Sequence, residues 1–289
     1  VEMAVAAGLP LVGERRNAGA TTTYGVGQLI AAALDHGAKQ VILGLGGSAT
    51  NDGGCGAAAA LGVEFRNAAG EVFVPVGGTL KEIVSISLAH AHPLIKRVPF
   101  TAMCDIDNPL CGENGASAVF GPQKGADDAM VVCLDEGLRH LADVVNRDLG
   151  RDILNLPGSG AAGGFGGGSV AFFNSSLRMG IDIVLDITRF DHLAAGADMV
   201  LTGEGKLDSQ SLRGKVVIGV ARHAKKIDVP VAALVGASET NIAEVYEEGV
   251  SGVFPINPMP QPFEVVREQA EENLRFTVRN LMRYTERLR

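Results

Sequence analysis

Apolar and polar positions follow two rhythms along this chain. Residues 24–36 place Val26, Leu29, Ile30, Ala33 and Leu34 at three- and four-residue steps, which predicts a helix stopped by Gly37 and preceded by Thr21, Thr22 and Thr23. A second helix starts at Asp127 as its cap, with Val131, Leu134, Leu138, Leu141, Val145 and Leu149 on one face. Short apolar runs at 41–43, 63–65, 72–74 and 98–103 predict strands. The chain opens on Val1, Glu2, Met3, Ala4 and Val5, read as a strand already under way. With no initiator methionine and no signal-peptide pattern, that opening implies an N-terminal segment ahead of residue 1.

Beyond about residue 189 the pattern becomes regular alternation. Strands are predicted at 198–202, 229–235 and 253–256, and helices at 215–227, 242–248 and 263–288. Pro262 stands near the start of the last helix, whose buried face is expected to be Phe263, Val266, Ala270, Leu274, Val278 and Leu281. Near-continuous apolar strands alternating with helices predict a parallel, doubly wound α/β sheet. In such sheets ligands sit beyond the carboxyl ends of the strands.

Composition narrows the class. The chain has 46% hydrophobic and 20% charged residues, enough apolar surface for a sizeable core. Its net charge of −8 argues against nucleic acid or an anionic membrane surface as partner. No apolar run reaches the ~18 residues of a membrane span. The four cysteines lack CxxC spacing and no His cluster accompanies them, so they read as reduced thiols of a cytoplasmic protein. The 38 glycines against 12 prolines indicate turns that approach a ligand or other backbone, not disorder.

Glycine-rich stretches concentrate the candidate chemistry. Residues 44–56, GLGGSATNDGGCG, link the 41–43 strand to a small-residue run at 57–61 that can start a helix: an anion-binding arrangement or, taken alone, a tight connection with no ligand. Residues 203–208, GEGKLD, are read as a loop at a strand's carboxyl end, carrying two carboxylates and a lysine. Asp105, Asp107 and Asn108 follow the 98–103 strand and suit Mg²⁺ or a general base, or equally an Asx turn before Pro109. Lys124 lies between Gly121 and Gly125, where it can face a phosphate or carboxylate, or equally sit in a solvated turn. Residues 158–163 spell G-x-G-x-x-G but follow no strand, which rejects a dinucleotide site. A P-loop and a G-x-S-x-G elbow are both missing, and the six histidines are each read as solvent-facing. Chemistry built from Asp, Asn, Lys and backbone N–H groups suits phosphoryl transfer.

Five stretches in order, GLGGSATNDGG (44–54), CDIDNPLCG (104–112), GASAVFGPQKGA (115–126), PGSGAAGGFGGG (157–168) and TGEGKLDSQS (202–211), resemble the bacterial class I glycerate kinases. The likeness spans essentially the whole chain. It implies ATP-dependent phosphorylation of glycerate, commonly to 2-phosphoglycerate, in a cleft between two α/β domains. One domain is Rossmann- or flavodoxin-like with a parallel sheet; the other is inserted into it and carries a mixed sheet. Residues 1–190 correspond to the inserted domain, and 191–289 to the C-terminal part of the Rossmann-like one, whose N-terminal part lies outside this chain. The family carries a Pro-Asp-Ser-Phe-Lys type motif there, without counterpart here.

On that reading Gly46, Gly47, Ser48, Thr50 and Asn51, with Asn108, Gly203 and Gly205, bind phosphate or substrate. Asp105 or Asp208 accepts the hydroxyl proton, Asp52 and Glu204 face Mg²⁺, and Lys124 and Lys206 neutralise charge. Glycerate and ATP are the expected partners, and a homo-oligomer is compatible with the sequence. The alternatives are a kinase for another small hydroxy or sugar acid, and a non-catalytic sugar-acid-binding module.

Overall fold

A computed structural model describes residues 1–208 and 216–287. The chain forms two compact units, Val1–Arg178 and Met179–Arg289. Ser209, Ser211, Lys215 and Leu288, which the sequence reading used in a motif and as helix ends, lie outside the described residues.

The first unit runs through α1 (Ala4–Ala7), α2 (Leu9–Val12), α3 (Tyr24–Asp35), β1 (Val41–Gly44), α4 (Cys55–Ala60), β2 (Glu64–Arg66), β3 (Val72–Phe73), β4 (Ser85–Ser87), β5 (Phe100–Met103), α5 (Ala116–Phe120), α6 (Asp128–Leu149), α7 (Phe165–Phe173) and β6 (Ser176–Arg178). Its mixed character comes from two sheets. Strands β1, β5 and β6 are parallel in that order, while β3, β2 and β4 are antiparallel. In the parallel sheet Gly44 pairs with Met103, so β1 and β5 end level and release their following loops side by side. That register places the site.

The opening residues depart from expectation. Glu2 makes a single parallel bridge to Gly44, and the chain then turns into α1. The run Ala4-Val5-Ala6-Ala7 has helix propensity that a lone bridge does not outweigh. Asp127 caps α6 as expected, its Oδ1 accepting from the Met130 N–H at 2.8 Å, and Leu134, Leu138, Leu141 and Val145 are buried. Helix α7 is buried almost all round. It lies directly on the 44–56 loop: a Cβ at Gly168 would stand 1.9 Å from the Gly53 carbonyl oxygen, so only glycine admits that approach.

The second unit contains α8 (Gly180–Thr188), α9 (Phe190–Ala194), β7 (Val200–Leu207), α10 (Val216–Lys226), β8 (Val231–Ser238), α11 (Ala243–Glu247), β9 (Val250–Pro255), α12 (Phe263–Glu268) and α13 (Ala270–Thr285). Its sheet is parallel, in the order β7, β8, β9. Four expectations are corrected. Residues 203–207 are strand, not loop, paired with β8 from Gly203–Leu234 to Leu207–Ser238. The last helix is two helices that meet at Gln269, whose backbone (φ −93°, ψ 2°) leaves the helical region. Its apolar face is largely exposed: Phe263 is 70% and Leu274 40% accessible, and Leu281 is the buried member. Among the histidines, His223 is only 8% exposed, its Nδ1 2.6 Å from Asp191 Oδ1, so a hydrogen-bonded carboxylate accompanies the polar ring at its buried position. Among the described residues no helix is long and apolar enough to cross a membrane.

Candidate functional site

The loops that leave β1 and β5 bound a cavity of about 340 Å³ in the first unit. Gly46, Gly47 and Ser48 come from the first loop, and Cys104, Asp105 and Ile106 from the second. Gln123 and Lys124 arrive from the segment after α5, and Ala161 and Ala162 from the glycine-rich stretch before α7. Four of the five sequence motifs therefore meet in one place. Gly46 has no heavy atom within 4 Å of where a Cβ would stand. Asp105 is exposed at this cavity.

Lys124 is the unusual member. It is 2% exposed, and its Nζ donates to the Thr50 carbonyl at 2.8 Å. Burial pulls its pKa down to about 8, while the Asp52 charge pulls the other way. A lysine held at a cavity wall, near neutrality in its titration, is a cation whose charge is not diluted by bulk water.

Thr50, Asn51 and Asp52 are buried behind the cavity and do not line it. Asn51 Nδ2 donates to Ser117 Oγ at 3.1 Å. Asp52 accepts four hydrogen bonds: from Thr23 N–H and hydroxyl at 2.7 and 2.8 Å, and from the Gly54 and Gly56 N–H groups at 3.1 and 3.2 Å. Burial pushes its carboxyl up, opposed by the hydrogen bonds from Thr23, Gly54 and Gly56. Thr50 Oγ1, Asn51 Oδ1 and Ser159 Oγ are buried polar atoms without a hydrogen-bond partner in the structure. Asn108 turns its Nδ2 to the Asn114 carbonyl at 2.9 Å and does not line the cavity.

The remaining candidates belong to the second unit. Gly203, Glu204, Gly205 and Lys206 line a separate cavity of about 1180 Å³ with Asn257, Phe263 and Leu274. Glu204 Oε1 is buried there without a hydrogen-bond partner. Lys206 pairs with Glu239 at 2.9 Å and with Asp208 at 3.3 Å. Among the described residues no group of three His, Cys, Asp or Glu side chains could hold a metal ion by itself.

Sequence reasoning missed Thr23, Gln123 and the Thr50 carbonyl. Gln123 stood inside the quoted 115–126 stretch and was legible as a neighbour of Lys124. The Thr50 carbonyl carries no side-chain signal. Thr23 contacts Asp52 across 29 positions, beyond any local pattern.

A parallel α/β sheet whose strand-end loops set glycine amides, a carboxylate and a buried lysine around one cavity suits phosphoryl transfer, and the comparisons with known proteins place the chain among the kinases. The chain is a member of the glycerate kinase family, whose sequence profile matches residues 1–286. It is 49% identical to a glycerate kinase of Bacillus cereus (strain ATCC 10987 / NRS 248) over 282 residues, 97% of this chain and 74% of the relative. It is 44% identical to the glycerate 2-kinase of Escherichia coli (strain K12) over 257 residues, 89% of this chain and 68% of the relative. A crystal structure from Salmonella typhimurium LT2, described as a glycerate kinase 2, superposes with a TM-score of 0.83 at 42% identity, covering 99% of this chain and 75% of that one.

Proposed function

We propose that this chain transfers the γ-phosphoryl group of ATP to a hydroxyl of glycerate, giving 2-phosphoglycerate. The observation that carries the reading is Lys124: a buried lysine fixed by the Thr50 carbonyl at the cavity that Gly46, Gly47, Ser48 and Asp105 share. The backbone N–H groups of 46–48 suit an anion, either the glycerate carboxylate or a phosphate. Asp105, at the same cavity as Lys124, accepts the hydroxyl proton. Lys124 neutralises charge as it shifts toward the leaving phosphate.

Mg²⁺ commonly takes one or two protein carboxylates and completes its shell with nucleotide phosphates and water. Glu204 fits that demand, since one of its oxygens is buried and without a hydrogen-bond partner. Asp52 does not fit, because protein donors already engage both of its oxygens. When bound, the ion supplies neutralisation of phosphate charge.

The test is incubation with D-glycerate and ATP, with the product resolved by phosphorus NMR. Formation of 2-phosphoglycerate is expected; formation of 3-phosphoglycerate corrects the position, and no phosphoglycerate overturns the reading. Asp105→Asn is expected to lower kcat by at least ~100-fold. A rate near the parent's removes Asp105 from that role.

A further inference from the structure

We infer that Thr21 and Thr23 are positioning residues for this site: from the segment before α3 they clamp the 44–56 loop on both sides of Thr50 and so fix the carbonyl that seats Lys124. This rests on the phosphotransfer reading above for its kinetic consequences, but its structural part stands on hydrogen bonds alone. The Thr21 hydroxyl donates to the Ala49 carbonyl at 2.7 Å. Thr23 donates to Asp52 through both its N–H and its hydroxyl, at 2.7 and 2.8 Å. The Thr23 hydroxyl also accepts from the Ala57 N–H at 2.8 Å. Residues 49 and 52 are thereby held from one short segment, and Thr50 lies between them with its carbonyl on Lys124 Nζ.

Neither threonine lines the cavity, so neither touches a reacting group. Their effect passes through Ala49 and Asp52 to the loop. The arrangement also accounts for Asp52, a fully buried carboxylate in the centre of the glycine loop, as the receiving end of a clamp. A loop that must present amides, and a carbonyl that seats a lysine, within a fraction of an ångström needs such outside support, because its glycines supply no side-chain packing of their own.

The experiment compares Thr21→Val/Thr23→Val with Thr21→Ser/Thr23→Ser by steady-state kinetics and by amide hydrogen exchange. Valine keeps the branched shape and removes the hydroxyl, while serine keeps the hydroxyl. For the valine pair, kcat is expected to fall about 10- to 100-fold with KM for glycerate changed less than about 3-fold, as for an interaction felt in the transition state. The serine pair is expected within about 3-fold of the parent in kcat. Exchange at Thr50, Asn51 and Gly53 is expected to quicken at least ~10-fold in the valine pair, with α6 unaffected. If the valine pair does not fold, Thr21→Val alone carries the same readouts, because that hydroxyl is only partly buried. Parent-level kcat and unchanged exchange in a folded valine variant overturn the inference. A parent protein that turns over no glycerate sinks the phosphotransfer reading instead, and the exchange data then decide the clamp by themselves.

Discussion

Replacing Lys124 with methionine is expected to lower kcat for phosphoryl transfer by about 10³-fold while the protein stays folded. The side chain is 2% exposed, so its charge acts across a cavity wall where water does not screen it. Methionine preserves the length and volume of the stem and removes the charge. Stability is expected to change little, by about 2 kcal/mol at most: losing a buried cation is favourable, and leaving the Thr50 carbonyl unpaired is not. Arginine is expected to be no substitute, because its fork brings several N–H donors to a place where one carbonyl, at 2.8 Å from the lysine, is the acceptor.

The pH dependence separates the two contributions. Lys124 titrates at about 8 in the folded chain against 10.5 for an ordinary lysine. Below pH 8 both states carry the proton. Between 8 and 10.5 the unfolded state binds more protons than the folded one, so this group makes stability rise with pH across that window. Activity runs the other way: kcat/KM is expected to fall above about pH 8 as the ammonium is lost. Urea denaturation and kcat/KM measured from pH 7 to 10 check both trends. Lys124→Met is expected to lose this component of each, and a parent kcat/KM that does not fall above pH 8 removes Lys124 from its role.

Much of this site was legible in the sequence, and for a definite reason. The glycine stretches mark where backbone must come close to something, and four of them do gather at the level ends of β1 and β5. Helices α3 and α6 announced themselves through periodicity, and β1 and β5 through short apolar runs, because those signals are local. What each loop residue faces was not legible. Asp52 reads as a metal ligand from its neighbours, yet its partner Thr23 is 29 positions away. Residues 203–207 read as loop because Gly, Glu and Lys are poor strand formers; the ladder from β8 and a close approach at Gly203, where a Cβ would stand 2.3 Å from the Leu234 carbonyl oxygen, override that propensity. In α12 and α13 the spacing identifies an apolar face correctly, but amphipathicity does not say what covers it.

Gly163→Ala is expected to destabilise the protein by about 3 kcal/mol or more, and to reduce turnover beyond the fraction that unfolds. Two costs add at this position. Its φ of +67° lies in the left-handed region, which charges alanine roughly 1–2 kcal/mol. The new Cβ would also stand 2.0 Å from the Thr50 carbonyl oxygen and 2.6 Å from Asn51 Cα, both of them backbone that cannot swing aside. Gly163 is further tied to this loop by its own carbonyl, which accepts from the Gly53 N–H at 3.0 Å. Gly70→Ala is the control, with φ +77° and nothing within 4 Å of the added carbon, so it carries the backbone cost of about 1 kcal/mol alone. Denaturation midpoints of the two variants, side by side, isolate the contact. Equal shifts would show that the loops separate freely at Gly163. A larger shift for Gly163→Ala, with kcat lost in the folded fraction, ties the second glycine stretch to Lys124, since the carbonyl that the Cβ displaces is the one that holds its ammonium.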